Sequence, residues 1–284
     1  MPRISVLINN YNNGPWLREC VDSVLAQTRS ADEVIVYDDG STDESIGLLR
    51  AYGDRITLIE GKHIGTRPGI HSQGHGIAVA FAASSGEHIH LLDGDDFYFK
   101  ERIARYEEAW DARPEAVLVQ CPMVLIDEAG IRIRDNYERS KQRQNYRRAT
   151  YLLNDVHFYY PTSALAFRRD YLARLLPLDF SVEPELAADA RLSVVAPLFG
   201  PVLALTETLC VWRRRPGSDS QIGNKSDPLA STLRRHGYFN HFARRNGFRP
   251  LVLWLNMRYL RQRARRFFPA WLSAPFVHNP EGRR

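Results

Sequence analysis

Two clusters of carboxylates stand out by type and spacing: Asp93-Gly94-Asp95-Asp96 and Asp38-Asp39-Gly40. In extended chain, residues i and i+2 point to the same side. Asp93 and Asp95 would then repel, at a cost of about 4 kcal/mol for charges ~4 Å apart in a dielectric of about 20. A divalent cation removes that conflict, because hard cations take carboxylate oxygens as ligands. Gly94 carries no side chain and lets a ligand approach the backbone. A solvated acidic turn that starts a helix explains the same residues, and the tripeptide alone leaves both readings open. Asp38 and Asp39 are open in the same way. An acid before a helix serves as an N-cap, or it accepts an N–H from a nucleobase or hydroxyls from a ribose. Tyr11, in Asn9-Asn10-Tyr11-Asn12, offers a flat face on which a base can stack.

These residues need elements that bring them together. Residues 4–8, 34–37, 56–59, 88–92 and 116–119 read as short apolar strands. Between them, Leu17, Cys20, Val21, Val24 and Leu25 fall on one helical face behind Pro15, which the first turn of a helix tolerates. Ser41 and Glu44 have the spacing of a capping box. Ile103, Tyr106 and Trp110 mark another helix face, and His90 is expected to face a helix layer. Alternating strands and helices imply an α/β fold, a mostly parallel sheet with helices on both faces. In such sheets ligands bind beyond the carboxyl ends of the strands. Asn9 to Asn12, Asp38-Asp39 and Asp93 to Asp96 all follow strands at that one edge.

The chain has 284 residues, 44% hydrophobic and 25% charged, with a net charge of +5. These values exclude collagen-like, coiled-coil and wholly disordered chains. Cys20, Cys121 and Cys210 are few, odd in number and far apart, which argues against a disulfide framework or a cysteine-rich zinc site and for a reducing compartment. The apolar run at 4–8 is too short for a signal sequence. No other run approaches the ~20 apolar residues that span a bilayer. A cytoplasmic protein is expected.

Four ordered blocks then carry a resemblance: Ile4-Ser5-Val6-Leu7-Ile8-Asn9-Asn10-Tyr11-Asn12, residues 19–28 (ECVDSVLAQT), residues 33–43 (EVIVYDDGSTD) and residues 85–96 (SGEHIHLLDGDD). Together they resemble glycosyltransferase family 2, in particular its bacterial cell-surface polysaccharide members. The resemblance is close over residues 4 to 110 and weaker to 220. It implies the GT-A fold, a Rossmann-like nucleotide-binding sheet flanked by helices. By the same resemblance, Asn9 and Tyr11 line the base pocket, and Asp39, with Asp38, contacts base or ribose. Asp93 and Asp95 form the DxD motif, with Asp95 as metal ligand and Asp93 nearer the ribose or the metal's water shell. The cofactor would be Mg²⁺ or Mn²⁺. Asp96 reads as an acid that starts the next helix. The implied division is a nucleotide-sugar-binding half over 1–120, an acceptor-binding half over 121–245, and a basic helical extension over 246–284.

A sugar transfer with inversion needs a general base on the acceptor side. Asp155, Asp179, Glu183, Glu185 and Asp189 are available. Ala187-Ala188-Asp189-Ala190-Arg191-Leu192 is similar to the family's acidic helix motif and selects Asp189; an exposed helical aspartate paired with Arg191 or a neighbour is the competing reading. Trp212-Arg213-Arg214-Arg215 stands where the family often has Tyr-Arg-x-His, so Arg215 would take over the diphosphate contact. Ser72-Gln73-Gly74 replaces the usual Asn-x-Gly turn, and Ala78 the following Asn. Pro161-Thr162-Ser163 resembles an acceptor-side segment.

The implied partners are a nucleoside diphosphate sugar and a hydroxyl-bearing glycan, glycolipid or natural product. A nucleotide-sugar-binding protein of the same fold that has lost transfer is the alternative. A metal hydrolase built on His71 and His75, or His88 and His90, is disfavoured because no Glu general base lies between the histidines and His71 reads as loop. Arg132, Arg134, Arg139, Lys141, Arg143, Arg147 and Arg148 form a basic, loop-rich stretch, but no nucleic-acid-binding module accompanies it and no nucleic-acid partner is expected. Residues 251–268 show a helical pattern with interleaved arginines, followed by Trp271. That pattern suits a basic amphipathic helix lying on the inner face of a membrane, or a tail packed on its own domain or on a second subunit.

Overall fold

The computed structural model describes residues 1–63, 70–137, 146–156, 159–215 and 227–267. Its elements run, in chain order, β1 (Ile4–Asn10), α1 (Gly14–Leu25), β2 (Glu33–Asp38), α2 (Ser45–Arg50), β3 (Thr57–Glu60), α3 (Ile70–Ala83), β4 (His88–Asp93), β5 (Phe97–Tyr98) and α4 (Arg102–Ala112). There follow β6 (Leu118–Gln120), β7 (Met123–Asp127), β8 (Arg132–Tyr137), α5 (Tyr146–Leu153), β9 (Leu165–Arg168), α6 (Arg169–Leu172), α7 (Ala188–Val194) and α8 (Ala196–Phe199). The last are β10 (Val202–Ala204), β11 (Cys210–Arg214), α9 (Pro228–Arg245) and α10 (Met257–Phe267).

A seven-stranded sheet has the order β10-β6-β9-β4-β1-β2-β3. β1 to β4 are mutually parallel, and only β9 runs antiparallel to its neighbours. β1 and β4 are buried on both faces; β1 accordingly reads as a largely apolar run rather than an alternating one, while β4 carries His88 and His90 between its apolar residues. The apolar face of α1, Leu17, Cys20, Val21 and Val24, is buried. So are Ile103, Tyr106 and Trp110 of α4, and His90 is wholly buried against that helix, its ring 5.4 Å from that of Tyr106. A second sheet, β5-β11-β7-β8, adjoins the first just after β4. Strands from both sides of residue 120 share the large sheet.

Four expectations need correction. Ser41 and Glu44 do not form a capping box: α2 begins at Ser45 with no side-chain cap, because Ser41 Oγ is engaged with Asp38 and with the backbone N–H of Asn12. His71 is helical, in α3, despite the nearby glycines. The basic stretch from 132 is not all loop, since it contains β8 and the start of α5; Arg139, Lys141 and Arg143 lie outside the described residues. The single helix read over 251–268 is a 3-10 turn, Leu253–Leu255, and then α10. Asn256 makes the break: its Oδ1 accepts from Tyr259 N at 2.9 Å and its Nδ2 donates to Asn154 O at 2.6 Å. Phe268 and Trp271 lie outside the described residues.

Candidate active site

Strand register decides what meets at the carboxyl edge. Asn9 stands opposite Tyr37 on β2 and opposite Asp93 on β4, while Asn10 stands opposite Asp38. Registered neighbours share a face. Asn9, Tyr37 and Asp93 therefore lie on one side, Asn10 and Asp38 on the other. α3 covers the first side. A Cβ at Gly76 would lie 2.6 Å from Asn9 Oδ1 and 2.7 Å from Tyr37 Cδ1, so only glycine lets the helix come this close. One turn earlier, Gln73 Nε2 donates to Asp93 Oδ1 at 2.8 Å and to Thr162 Oγ1 at 3.1 Å.

The two aspartates after β2 part company. Asp38 is wholly buried and accepts from Asn10 Nδ2 at 2.6 Å, Ser41 N at 2.7 Å and Ser41 Oγ at 2.7 Å. Those bonds shape the turn rather than face a ligand. Asp39 points to the other side, where its Oδ2 meets His63 Nδ1 at 2.7 Å. Asp39 Oδ1 is buried without a hydrogen-bond partner among the described residues, as are both amide atoms of Asn9. Buried polar atoms are nearly always satisfied, so unpaired ones at a cleft mark room for a polar ligand. His63 stacks on exposed Tyr11, ring centroids 4.3 Å apart and planes 9° from parallel.

Beyond β4, Asp95 Oδ2 receives Arg215 Nε at 2.7 Å, and the Arg215 guanidinium sits 5.3 Å from the Trp16 ring. Asp96 does not start α4, which begins six residues later. It is buried, accepting from Ser163 Oγ at 2.5 Å and from Arg213 N at 2.7 Å, and it ties β11 to the site. Burial, and then the charges of Asp95 and Asp93, push its carboxyl well above the usual range. Ser163 Oγ also accepts from Asp93 N at 3.1 Å. Beneath lies Arg102, wholly buried between the rings of Tyr98 and Tyr106, 3.8 and 4.2 Å from their centroids. It donates to His90 Nδ1 at 2.7 Å and to Ser163 O at 3.1 Å. Burial holds His90 down at about 4, so the ring is neutral and accepts the guanidinium proton.

Asp189 sits in the first turn of α7 and accepts from Ala190 N at 2.6 Å. Arg191 turns its guanidinium to the preceding loop. That guanidinium is buried and donates to the carbonyls of Asp179, Val182, Glu183 and Leu186, which fixes the loop leading into α7. Burial pushes the Asp93 carboxyl up to about 7, with the charge of Asp95 next in weight and that of Asp189 also contributing. Asp189 thus acts electrostatically on the Asp93 site.

The model of the family described as glycosyl transferase family 2 matches residues 5–176, more than half the chain.

The chain belongs to glycosyltransferase family 2.

An uncharacterized glycosyltransferase of Nostoc is 30% identical over 216 residues, covering 74% of this chain and 64% of its own length. One of Rickettsia prowazekii is 30% identical over 128 residues, 45% of this chain and 38% of its own. The chain thus spans between 38% and 64% of these relatives. Among solved structures, S. aureus TarS superposes with a TM-score of 0.63 at 17% identity, over 92% of this chain and 43% of TarS. The mannosyltransferase PcManGT from Pyrobaculum calidifontis, solved with GDP-Man and Mn²⁺, superposes with a TM-score of 0.56 at 17% identity, over 93% of this chain and 69% of its own. The fold is the GT-A fold of family 2 glycosyltransferases.

Among the described residues no three His, Cys, Asp or Glu side chains form a ready-made metal cage. The donors present still fit a cation shared with a diphosphate. Asp93 and Asp95 are crowded enough that one resists ionising, and Asp95 already holds a cationic group, Arg215. Hard cations favour such oxygen donors and take substrate phosphates for the remainder. Sequence reasoning missed His63 and Arg102 and gave Trp16 no role. His63 follows an unremarkable strand, and the contacts of Arg102 and Trp16 are long-range, so no local pattern marks them.

Proposed function

We propose that the chain is a metal-dependent, inverting glycosyltransferase that moves a sugar from a nucleoside diphosphate donor to a hydroxyl of a glycan, glycolipid or natural product. The observation that carries this reading is Asp93. It stands beside Asn9 on the sheet edge, is held by Gln73, and feels the charges of both Asp95 and Asp189.

In this reading the base stacks on Tyr11. Asp39 Oδ1 and the Asn9 amide supply the unpaired acceptor and donor atoms for base and ribose. Asp38 shapes the turn that presents Asp39. Asp93 and Asp95 would hold Mg²⁺ or Mn²⁺, which when bound neutralises the diphosphate and stabilises it as a leaving group. Arg215 leaves Asp95 for a phosphate oxygen, a contact its forked donors suit. Asp189 takes the acceptor hydroxyl's proton as that oxygen attacks the anomeric carbon from the side opposite the diphosphate, which inverts the centre. Residues 1–120 serve the donor and 121–245 the acceptor. Three buried free thiols, two of them 3.5 Å apart, support a cytoplasmic setting.

The test is Asp189→Asn, followed by nucleoside diphosphate release from a panel of sugar donors. Release should fall by about 10²-fold or more, with donor affinity unchanged. Normal release by the variant removes Asp189 from the base role. Wild-type protein that binds donor but never releases the diphosphate, with any acceptor, would instead be a silent binding protein.

A further inference from the structure

Residues 228–280 contain ten arginines and no aspartate, glutamate or lysine. Removing those ten charges turns the chain's +5 into an excess of five acids. This stretch lies in the last fifth of the chain, downstream of every residue assigned to the transfer site, and is basic in addition to the stretch at 132–148.

The structure shows what accompanies that charge. Trp254, Leu255 and Met257 are 61%, 60% and 54% exposed, and Val252 and Leu260 are exposed beside them. Leu152, near the end of α5, is 69% exposed. The joint is specific. Asn154 Oδ1 accepts from Val252 N at 2.8 Å, its carbonyl accepts from Asn256, and Tyr151 Oη donates to Arg249 O at 3.0 Å. Arg258 Nε pairs with Asp155 Oδ2 at 3.2 Å. These bonds fix the 3-10 turn and α10 against α5, so the apolar side chains are held outward on a rigid mount. Arg261 and Arg263 are exposed next to them, and the Arg263 guanidinium lies 5.0 Å from the Trp254 ring.

A soluble surface gains nothing by presenting large apolar side chains in such density; clusters of this kind mark interaction sites. We propose that this face docks on an anionic lipid bilayer. Trp254, Leu255, Met257 and Leu260 would enter the boundary between headgroups and acyl chains, as the apolar face of an interfacial helix does. Trp at that depth has its amphipathic ring in a matching environment. The exposed Arg261 and Arg263 meet the negative headgroups, each contributing about 1 kcal/mol near a charged surface. The proposal is independent of the transfer chemistry, because none of these residues touches the Asp93 site.

The experiment is co-sedimentation of the full chain with vesicles of phosphatidylcholine alone, or with about a third phosphatidylglycerol, at low and high salt. The anionic vesicles should pellet the protein and the neutral ones should not, and salt should weaken binding. Arg261→Glu should weaken it about tenfold or more. Leu255→Gln with Met257→Gln, which removes apolar contact and leaves the charge, should also weaken it severalfold. Circular dichroism and nucleotide affinity should stay at wild-type values in both variants. Absence of binding to anionic vesicles, equal binding to neutral ones, or indifference to both variants overturns the proposal. So does a dimer seen by light scattering that Leu255→Gln with Met257→Gln dissolves while vesicle binding is absent; the occupant would then be a second copy of this chain.

Discussion

Arg215 Nε lies 2.7 Å from Asp95 Oδ2, on the carboxylate that the family resemblance gives to the metal. The same guanidinium is 5.3 Å from the Trp16 ring. Asp95 thus has a cationic partner from within the chain, and in the proposed reading Arg215 would compete with a metal ion for it. Arg215→Gln should tighten binding of Mn²⁺ alone, because the competitor is gone. It should also lower turnover by ~10- to 1,000-fold, because a cationic donor to the leaving diphosphate is lost. Metal titration and donor turnover check the two signs separately. If both stay at wild-type values, Arg215 only decorates the site.

Asp39 and Asp38 should behave differently. Asp39 offers a buried oxygen with no hydrogen-bond partner among the described residues, whereas Asp38 is spent on Asn10 and Ser41. Asp39→Asn should weaken nucleotide binding by roughly 10- to 100-fold, the range of a lost hydrogen bond to a charged group, and leave the unfolding midpoint almost unchanged. Asp38→Asn should lower the midpoint as well. Calorimetric titration and thermal unfolding of both variants make the comparison.

Gly76 lets α3 sit on Asn9 and Tyr37, and Gln73 on the same helix reaches Asp93. Gly76→Ala would place its Cβ 2.6 Å from Asn9 Oδ1. The helix must shift, at a cost of about 1–3 kcal/mol, and Gln73 moves off Asp93. Stability and turnover should fall together. Gly47, in α2 with nothing within 4 Å of its added Cβ, is the control. Gly47→Ala should stabilise by about 0.5–1 kcal/mol and leave turnover alone. Urea unfolding with turnover measurements reads both.

Acid stability should show the opposite end of the sheet. Burial opposes ionisation of Glu33, but hydrogen bonds from Ser5 and Ser85, with Arg3 nearby, outweigh it and hold the carboxyl at about 2. The folded value is below the unfolded one, so the ionised group stabilises the fold above the unfolded value. That contribution is lost as pH falls through the folded value. Glu33→Gln should cost up to about 3 kcal/mol near neutrality, and the gap to wild type should shrink as pH falls from about 4.5 toward 2. Urea unfolding across that window measures it; a gap constant with pH would contradict the linkage.

Reading the chain alone located β1 to β4 and β6 of the large sheet, where β-type runs lead directly to Asp39 and Asp93, but not the short strands β9 and β10. It misplaced what depends on competition between distant partners. Ser41 has the right spacing to cap a helix, yet Asp38 and Asn12 claim its hydroxyl. Asp96 looks like a helix start, yet Ser163 and Arg213 bury it. Gly74 and Gly76 made the start of α3, around His71, look like loop, although close approach to Phe180 and Tyr37 is why they are glycines. The stacking of His63 on Tyr11 has no local signature at all.

The most direct measurement is calorimetric titration of a nucleoside diphosphate panel with Mn²⁺ and with a chelator, on wild-type protein and on Asp95→Asn. One nucleotide should bind the wild type with Mn²⁺ and bind markedly more weakly with the chelator, and Asp95→Asn should show the weaker value in both conditions. Binding that ignores both the chelator and Asp95→Asn, or no nucleotide binding by well-folded protein, would contradict a metal-dependent donor site at Asp93 and Asp95.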